Sequence, residues 1–281
     1  MPVHPRTIAY IDGTQMLYRA EFGFPSRIRN HVGHDMTGLF GFLALTRKAL
    51  SASRVRPTHA VVAFDADAPT HRSSLDARYR AARRTPAAGA ESSPFRHIPW
   101  IIRGLRAWEM SCIEHESAEA DDVIASALAR YSTLRDRSIV VSRDKDLHQL
   151  VSSHVTQWDS ARGAERGWIT PEKLMERYGV SPNQWCDYVA LVGDRSDGLP
   201  GVRGIGPVTA ARMLRGGRVL EDLNEELSAH DRDEAHHQRS LHRLLMDIEL
   251  PPAEPSPLPT HGLSTAASVL DVLGLWDASY P

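Results

Sequence analysis

Three short apolar runs in this 281-residue sequence each end at an aspartate. Asp12 follows "IAYI", Asp65 follows "VVAF", and Asp144 follows "IVVSR", with Asp146 two residues further on. Short apolar runs separated by helical patterns are typical of strands in a parallel sheet that has helices on both faces. The carboxyl ends of parallel strands share one edge of the sheet, where binding sites lie. The pattern therefore predicts an α/β fold, with a mostly parallel central sheet flanked by helices, and a site at that edge.

The order of the predicted elements supports this fold. The predicted strands cover 7–13, 58–66 and the segment that begins at 138, and the predicted helices cover 38–50, 117–131 and the segments after the first and third strands. Two domains are predicted, an α/β domain over 1–180 and a second, helical domain over 181–281.

Further acids add to those at the strand ends. Glu119, Asp121 and Asp122 occupy the first turn of the predicted helix 117–131, and Asp194 and Asp197 lie on a later loop. A lone aspartate after a strand can simply cap the next helix, and acids in a first turn are stabilised by the helix dipole. Capping does not explain five separate sources of acid, and three carboxylates in one turn repel each other unless a cation lies between them.

Nine carboxylates without a histidine or cysteine at matching positions indicate all-oxygen ligation. Such a donor set suits Mg²⁺ or Mn²⁺ rather than zinc. The histidine-rich segment "EAHHQRSLH" (234–242) is typical of a solvated helix face and is not expected to bind metal. The predicted metal ligands are Asp12, Asp65, Glu119, Asp121, Asp122, Asp144, Asp146, Asp194 and Asp197.

The charge distribution points to a phosphate-rich partner. The net charge is only −2, but outside the nine acids the 33 Lys and Arg exceed the remaining Asp and Glu by seven. Residues 72–106 hold eight arginines against two acids. A solvated helical face is the usual reading of such a run, but the absence of lysine and the scarcity of acids favour a phosphate-binding surface.

A glycine turn follows the acidic loop and opens a helix. Gly204, Ile205 and Gly206 form this turn, and Thr209 lies in the helix that follows. Backbone amides at such a turn can hold a phosphate without reading its sequence. The order G-x-x-G-x-G with no strand before it is a poor match to a dinucleotide fold. The turn is therefore predicted to hold a phosphate group while the acids hold metal ions.

Five motifs in order resemble the structure-specific 5′ nucleases, that is, the 5′–3′ exonuclease domain of bacterial DNA polymerase I and the flap endonucleases. They are "YIDGTQMLYRA", "AVVAFDA", "EADDVIASAL", "SRDKDLHQLV" and "GDRSDGLPGVRGIG", and the resemblance runs from about Ile8 to Leu214. It implies a PIN-like 5′ nuclease fold with a helical arch over about 70–108 and a helix-three-turn-helix element that binds duplex DNA. It also implies two or more Mg²⁺ or Mn²⁺ ions and a K⁺ ion at the glycine turn.

The resemblance also assigns roles by position. Asp12, Asp65, Glu119 and Asp121, with Asp122 beside them, resemble the first metal cluster, and Asp144, Asp146, Asp194 and Asp197 resemble the second. Asp121 matches the residue between the ions. Arg72, Tyr79, Arg80 and Arg83 fall on the basic and aromatic positions of the arch base and are the expected catalytic residues, with Arg80 and Arg83 facing the scissile phosphate and Tyr79 stacking on the end base.

These features predict a free-standing, metal-dependent 5′ nuclease that acts on branched, flapped or nicked double-stranded DNA. Two alternatives are a PIN-type ribonuclease with a similar acid cluster and a non-catalytic binder of branched DNA. The first would not need the glycine turn or the arch, and the second predicts lost ligand positions. The sequence has no membrane-length apolar run or signal-peptide pattern. Cys112 and Cys186 lie far apart and fit no metal spacing, which favours buried thiols in a reducing cytoplasm. A monomer is expected.

Overall fold

The computed structural model describes residues 5–66, 68, 70–76, 79 and 93–280. Most of the predicted arch base, including Arg80 and Arg83, lies outside these ranges. The strands are β1 (Thr7–Asp12), β2 (His59–Phe64), β3 (Ser111–Glu114), β4 (Arg137–Val141), β5 (Val155–Trp158), β6 (Trp168–Ile169) and β7 (Ser256–Pro257). The helices are α1 (Gly13–Gly23), α2 (Thr37–Ala52), α3 (His71–Leu75), α4 (Ile98–Ala107), α5 (Ala120–Tyr131), α6 (Pro171–Tyr178), α7 (Trp185–Val192), α8 (Pro207–Met213), α9 (Ala229–His242) and α10 (Ala266–Val272).

The strands form one sheet in the order β3-β2-β1-β4-β5-β6, with β7 added beside β2. Strands β1 to β5 pair in parallel, whereas β6 and β7 are antiparallel to their neighbours. The predicted α/β fold with a mostly parallel central sheet is thereby confirmed. β1 lies between β2 and β4, so the three strands that end near acids are adjacent, and their carboxyl ends lie side by side.

Both faces of the sheet are covered, which explains the continuous apolar runs. Ile8 and Tyr10 of β1 belong to the core beneath α5, whereas Ala9 and Ile11 belong to the core beneath α2 and α4. All four side chains are almost fully buried. The alternation carries successive residues into opposite cores, because side chains of a strand point to opposite faces.

The helix predicted after the third strand is absent from the structure. Only a short 3-10 helix, Asp146–Leu150, follows β4, and the chain enters β5 at Val155. Too few residues separate the strands for a longer helix. The sequence prediction was therefore wrong about the length of this element, although it placed Asp146 correctly after the strand.

A third core, the helical core, lies beyond the sheet. It is built by α6, α7 and α8 around Trp185, Leu191 and Ala210, and Ala235 brings α9 into it. The chain that follows α9 returns to the core beneath α2 and α4. There β7 pairs with β2, and α10 packs on α2 and α4. Residues 256–280 therefore belong spatially to the sheet, which differs from the predicted division that assigned all of 181–281 to the second domain.

Within the described ranges, no helix combines the length and apolar character needed to cross a bilayer.

Candidate metal centre and duplex-binding turn

Asp12 is fixed by two contacts at the carboxyl end of β1. One carboxylate oxygen accepts a hydrogen bond from the backbone amide of Gln15 at 2.9 Å, which caps α1. The other accepts from the hydroxyl of Ser142 at 2.7 Å. Capping is thus a real part of the role of Asp12, but the second contact ties the same carboxylate to the end of the neighbouring strand β4.

Asp65 connects the next strand end to α5. Its carboxylate accepts from the backbone amide of Ala120 at 2.6 Å, and its own amide donates to the hydroxyl of Thr14 at 2.8 Å. Ala120 is the first residue of α5, so an aspartate from β2 satisfies a backbone amide that the helix itself leaves unpaired. This contact brings the first turn of α5 to the same edge of the sheet.

The first turn of α5 buries three carboxylates around one guanidinium. Arg72 donates two hydrogen bonds to Asp122, at 2.6 and 2.7 Å. The same guanidinium lies 3.5 Å from Glu119 and 3.6 Å from Asp121. All four side chains are at most 6% exposed. Three acids are therefore buried within a few ångströms of one another, an arrangement that is typical of a cation site.

Asp121 is surrounded by the other acids. Burial raises the pKa of its carboxyl well above the usual value, and repulsion from Asp122, Glu119 and Asp144 raises it further, although Arg72 opposes the shift. Its buried Oδ2 has no hydrogen-bond partner in the described part of the chain. An unpartnered oxygen with a raised pKa fits a position where a divalent ion replaces the proton.

Arg72 is buried and not part of an exposed phosphate-binding surface. Burial alone would lower the pKa of its guanidinium, but the nearby carboxylates of Asp121, Asp122 and Glu119 reverse the sign and raise it. Its side chain also donates to the carbonyl of Leu241 at 2.7 Å. The prediction that Arg72 contacts DNA phosphate is therefore wrong for this conformation: the guanidinium is only 3% exposed and serves the acid cluster.

Tyr79 is also buried, at 4% exposure. Its hydroxyl donates to Glu119 at 3.1 Å, and the hydroxyl of Thr70 donates to the other oxygen of Glu119 at 2.7 Å. The predicted stacking of this ring on a terminal base needs an exposed face, which this conformation does not offer. The expected contribution of Arg80 and Arg83 concerns residues outside the described ranges and stays a prediction.

Two other arginines of the arginine-rich segment 72–106 make contacts within the protein. Arg96 lies 3.2 Å from Glu21, and Arg103 stacks 4.4 Å above the ring of Trp100. These described arginines thus pair with other side chains of the protein, whereas the sequence favoured a phosphate-binding surface.

The second group of acids surrounds the end of β4. The carboxylate of Asp144 accepts from the amide of Asp146 at 3.0 Å, and that of Asp194 accepts from the amide of Ser196 at 2.7 Å. Asp194 also exchanges backbone hydrogen bonds with Leu199, at 2.9 and 2.8 Å, which closes the acidic loop. The loop carries Asp197, which is only 4% exposed.

His242 completes this group, and the sequence interpretation missed it. Its Nδ1 lies 3.2 Å from Asp146, and one ligand atom each of Asp146, Asp197 and His242 lie within 4.8 Å of one another. Burial would lower the pKa of the imidazole, but the hydrogen bond to Asp146 and the charges of Asp197 and Asp194 raise it. The reading of 234–242 as a wholly solvated face is wrong here, because His242 is 0% exposed.

A signal for the burial of His242 exists in the sequence. Ala235, Gln238 and Leu241 recur at helical spacing and are each 0% exposed. His242 follows Ala235 by two helical turns and Gln238 by one, so it shares their face.

Ser142 joins the two groups of acids. Its hydroxyl donates to Asp12 at 2.7 Å and accepts from the amide of Asp144 at 3.0 Å. Asp144 in turn contributes to the raised pKa of Asp121. The acids therefore form one continuous region along the carboxyl edge of the sheet, and their hard oxygen donors fit Mg²⁺ or Mn²⁺.

The duplex-binding candidate lies between α7 and α8. Gly193 and Gly201 have φ angles of +85° and +72°, and a Cβ on Gly193 would lie 2.6 Å from the nitrogen of Gly201. These glycines permit the close backbone crossing that precedes the turn. Gly204 and Gly206 are exposed, and no atom lies within 4 Å of a Cβ built on either. Ile205 packs partly into the helical core, which orients the turn.

Two family models match successive parts of the chain. The model described as the 5′–3′ exonuclease N-terminal resolvase-like domain matches residues 7–179, and the model described as the 5′–3′ exonuclease C-terminal SAM fold matches 180–256. The chain belongs to the 5′–3′ exonuclease family. The predicted resemblance and the assignment as a nuclease are confirmed.

Curated relatives agree with this family. The chain is 36% identical over 220 residues to DNA polymerase I of Bacillus caldotenax, a match that covers 78% of the chain but 24% of that polymerase. It is 32% identical over 219 residues to a 5′–3′ exonuclease of Aquifex aeolicus, covering 78% of the chain and 72% of that protein. The chain thus spans only a small part of the polymerase that it matches.

Solved structures share the fold. A bacteriophage T5 D15 flap endonuclease, crystallised as a pseudo-enzyme-product complex with DNA and metal ions, is 18% identical with a TM-score of 0.61, covering 96% of this chain and 94% of that one. A T5 5′-exonuclease with bound zinc is 18% identical with a TM-score of 0.58, covering 84% of this chain and 86% of that one. At this identity the likeness concerns the fold.

Proposed function

We propose that the chain is a divalent-metal-dependent 5′ nuclease that hydrolyses phosphodiester bonds at 5′ ends, flaps or nicks of double-stranded DNA. The observation that carries the proposal is the crowding of buried carboxylates around Asp121. Glu119, Asp121 and Asp122 are buried beside the guanidinium of Arg72, and Asp121 keeps an oxygen without a partner among the described residues. A bound divalent cation would supply the contact that this oxygen lacks and would stabilise the ionised carboxylates around it.

The acids hold the proposed cations. Asp12, Asp65, Glu119 and Asp121 serve one position, and Asp144, Asp146, Asp194 and Asp197 serve the other. Bound Mg²⁺ or Mn²⁺ would activate a water and stabilise the leaving oxygen. Asp122, whose two oxygens accept from Arg72, keeps that guanidinium in place. In this proposal the protein positions these metal ligands and holds the DNA next to them.

Duplex DNA is proposed to bind at the glycine turn. The exposed backbone of Gly204 and Gly206 can approach a phosphate closely, and Ile205 and Thr209 complete the contact surface. A K⁺ ion held by carbonyls of this turn is part of the proposal. The residues after 180 form the duplex-binding domain and those up to 180 the nuclease domain, with residues 256–280 packed on the latter.

The proposal also covers the oligomeric state and the cellular compartment. We place a monomer in the cytoplasm, where Cys112 and Cys186, both free in the structure, would stay reduced.

A cleavage assay tests the proposal. A 5′-flap duplex, a nicked duplex, a blunt duplex and a matched single-stranded RNA are compared with Mg²⁺, with Mn²⁺ and with a chelator. Metal-dependent cleavage of the DNA substrates is expected. Cleavage of RNA alone would favour the ribonuclease alternative, and binding without cleavage would favour the non-catalytic alternative.

Variants of the second group sharpen the assay. Asp146→Ala and Asp194→Ala should each abolish cleavage, because each removes a metal donor, while affinity for the flap duplex stays near wild type. Asp271→Ala, an exposed acid on α10, is the matched control and should cleave normally. Near-normal turnover of both site variants at saturating Mg²⁺ would contradict the proposed second metal position.

A further inference from the structure

His242 contacts the acids at the carboxyl edge of the sheet, although it lies on helix α9 and not at the end of a strand. It is the last residue of α9 and is 0% exposed. The side-chain amide of Gln149 donates to the carbonyl of Asp146 at 2.7 Å and to that of His242 at 2.9 Å. One side chain therefore fixes the backbones of both residues relative to each other.

A second contact fixes α9 against the acidic loop. The Oε1 atom of Gln238 accepts from the backbone amide of Gly201 at 2.8 Å, and Gln238 is 0% exposed. Gly201 lies four residues after Asp197. The helix that carries His242 and the loop that carries Asp197 are thus joined by a buried hydrogen bond, so the imidazole is held in a built site.

His242 has one ring nitrogen that makes no hydrogen bond to the described residues. Its Nδ1 faces the carboxylate of Asp146 at 3.2 Å. Its Nε2 is buried and has no hydrogen-bond partner among the residues that the structure describes. A buried polar atom without a partner is costly, and a metal ion can supply the missing contact. The spacing of at most 4.8 Å between ligand atoms of Asp146, Asp197 and His242 suits one ion.

We propose that His242 gives the Asp146–Asp197 metal position a nitrogen ligand, so that this position prefers Mn²⁺, or a later transition ion, over Mg²⁺. Imidazole nitrogen suits transition ions, whereas Mg²⁺ favours oxygen donors throughout. Among the described residues, the metal donors around Asp121 are carboxylate oxygens, so the two positions differ in metal preference. The inference rests on the proposed metal-dependent function and specifies the chemistry of one of its two sites.

Mn²⁺ bound to the full-length protein without DNA tests the inference. Pulsed paramagnetic resonance detects a nitrogen nucleus coordinated to Mn²⁺, and labelling only the histidines with ¹⁵N shows whether that nitrogen belongs to a histidine. We expect a histidine nitrogen signal in the wild type and its loss in His242→Gln. Titration calorimetry should show Mn²⁺ affinity about tenfold weaker in His242→Gln, with Mg²⁺ affinity changed less.

His230→Gln is the matched control, because His230 lies near the start of the same helix and is exposed. It should keep both the nitrogen signal and the Mn²⁺ affinity. If His242→Gln does not fold, the labelled wild-type spectrum still decides whether a histidine binds the ion.

Three outcomes separate the two proposals. Mn²⁺ binding without a histidine nitrogen signal would overturn the role of His242 and leave the metal-dependent nuclease intact. A signal that persists in folded His242→Gln would overturn it as well, in favour of another histidine. Failure of the wild type to bind any divalent ion would instead refute the proposed function itself.

Discussion

Replacing Arg72 with alanine should make the stability of the protein depend strongly on divalent ions. The guanidinium lies against three buried carboxylates, with two hydrogen bonds to Asp122 and distances of 3.5 and 3.6 Å to Glu119 and Asp121. Removing one partner from a buried ion pair costs about 3–5 kcal/mol, because the other charges stay buried and uncompensated. We expect Arg72→Ala to lose that much in the free energy of unfolding when a chelator is present.

Added metal should recover part of this loss. The guanidinium competes with a cation for Glu119 and Asp121, so its removal should tighten metal binding. A tenfold tighter dissociation constant corresponds to about 1.4 kcal/mol. At metal concentrations far above both dissociation constants, the difference between variant and wild type should therefore shrink by about that amount or more.

Urea unfolding in chelator and in Mg²⁺, followed by tryptophan fluorescence and circular dichroism, measures both quantities. Arg218→Ala is the control: Arg218 pairs with Glu226 at the surface, so its loss should be about 1 kcal/mol or less and independent of metal. A loss below about 1 kcal/mol for Arg72→Ala in chelator would refute the stability argument. A loss that is equal or larger in Mg²⁺ would show that Arg72 helps to build the metal position and does not compete with the ion.

Gly206→Asp should weaken binding to duplex DNA about tenfold at low salt without lowering the unfolding midpoint, because the new side chain meets open space but places a negative charge beside a phosphate. Unchanged affinity in a gel-shift titration would mean that the turn is only structural. Asp136→Asn should cost about 2 kcal/mol at neutral pH, because it weakens charge-assisted hydrogen bonds from Arg6. Those bonds hold the pKa of Asp136 below its usual 3.8, so the stabilisation is present above pH 3.8 and is lost as the pH falls below it. Urea midpoints of Asp136→Asn and wild type should therefore converge in acid, and a constant difference would contradict this assignment.

Strand ends were predictable because burial on both faces leaves a continuous apolar signal. Asp12 and Asp65 end such runs, and both lie at the carboxyl edge as expected. The first turn of α5 was predictable for a similar reason, since its apolar stripe sets the face and the acids precede it. Strands β3, β5, β6 and β7 were not predicted, because they are short and only some of their residues are buried.

Long-range pairing was the part that local patterns could not predict. Arg72 is paired with Asp122, fifty residues later in the chain, and nothing in the charge run distinguishes it from the arginines around it. His242 meets Asp146 across 96 residues. Both contacts depend on where helices pack, and the sequence reports which residues are polar but not which polar residues meet.

The return of residues 256–280 to the sheet has a consequence for biosynthesis. Val269 and Leu270 of α10 are almost fully buried against the same core as Leu39 of α2, and residues 180–255 lie between them in the chain. On the ribosome α2 and α4 emerge early, yet the part of their apolar surface that α10 covers stays exposed until α10 has been synthesised. The nascent chain therefore carries an exposed apolar surface while the intervening residues are translated, and such a surface is open to aggregation and to chaperone binding.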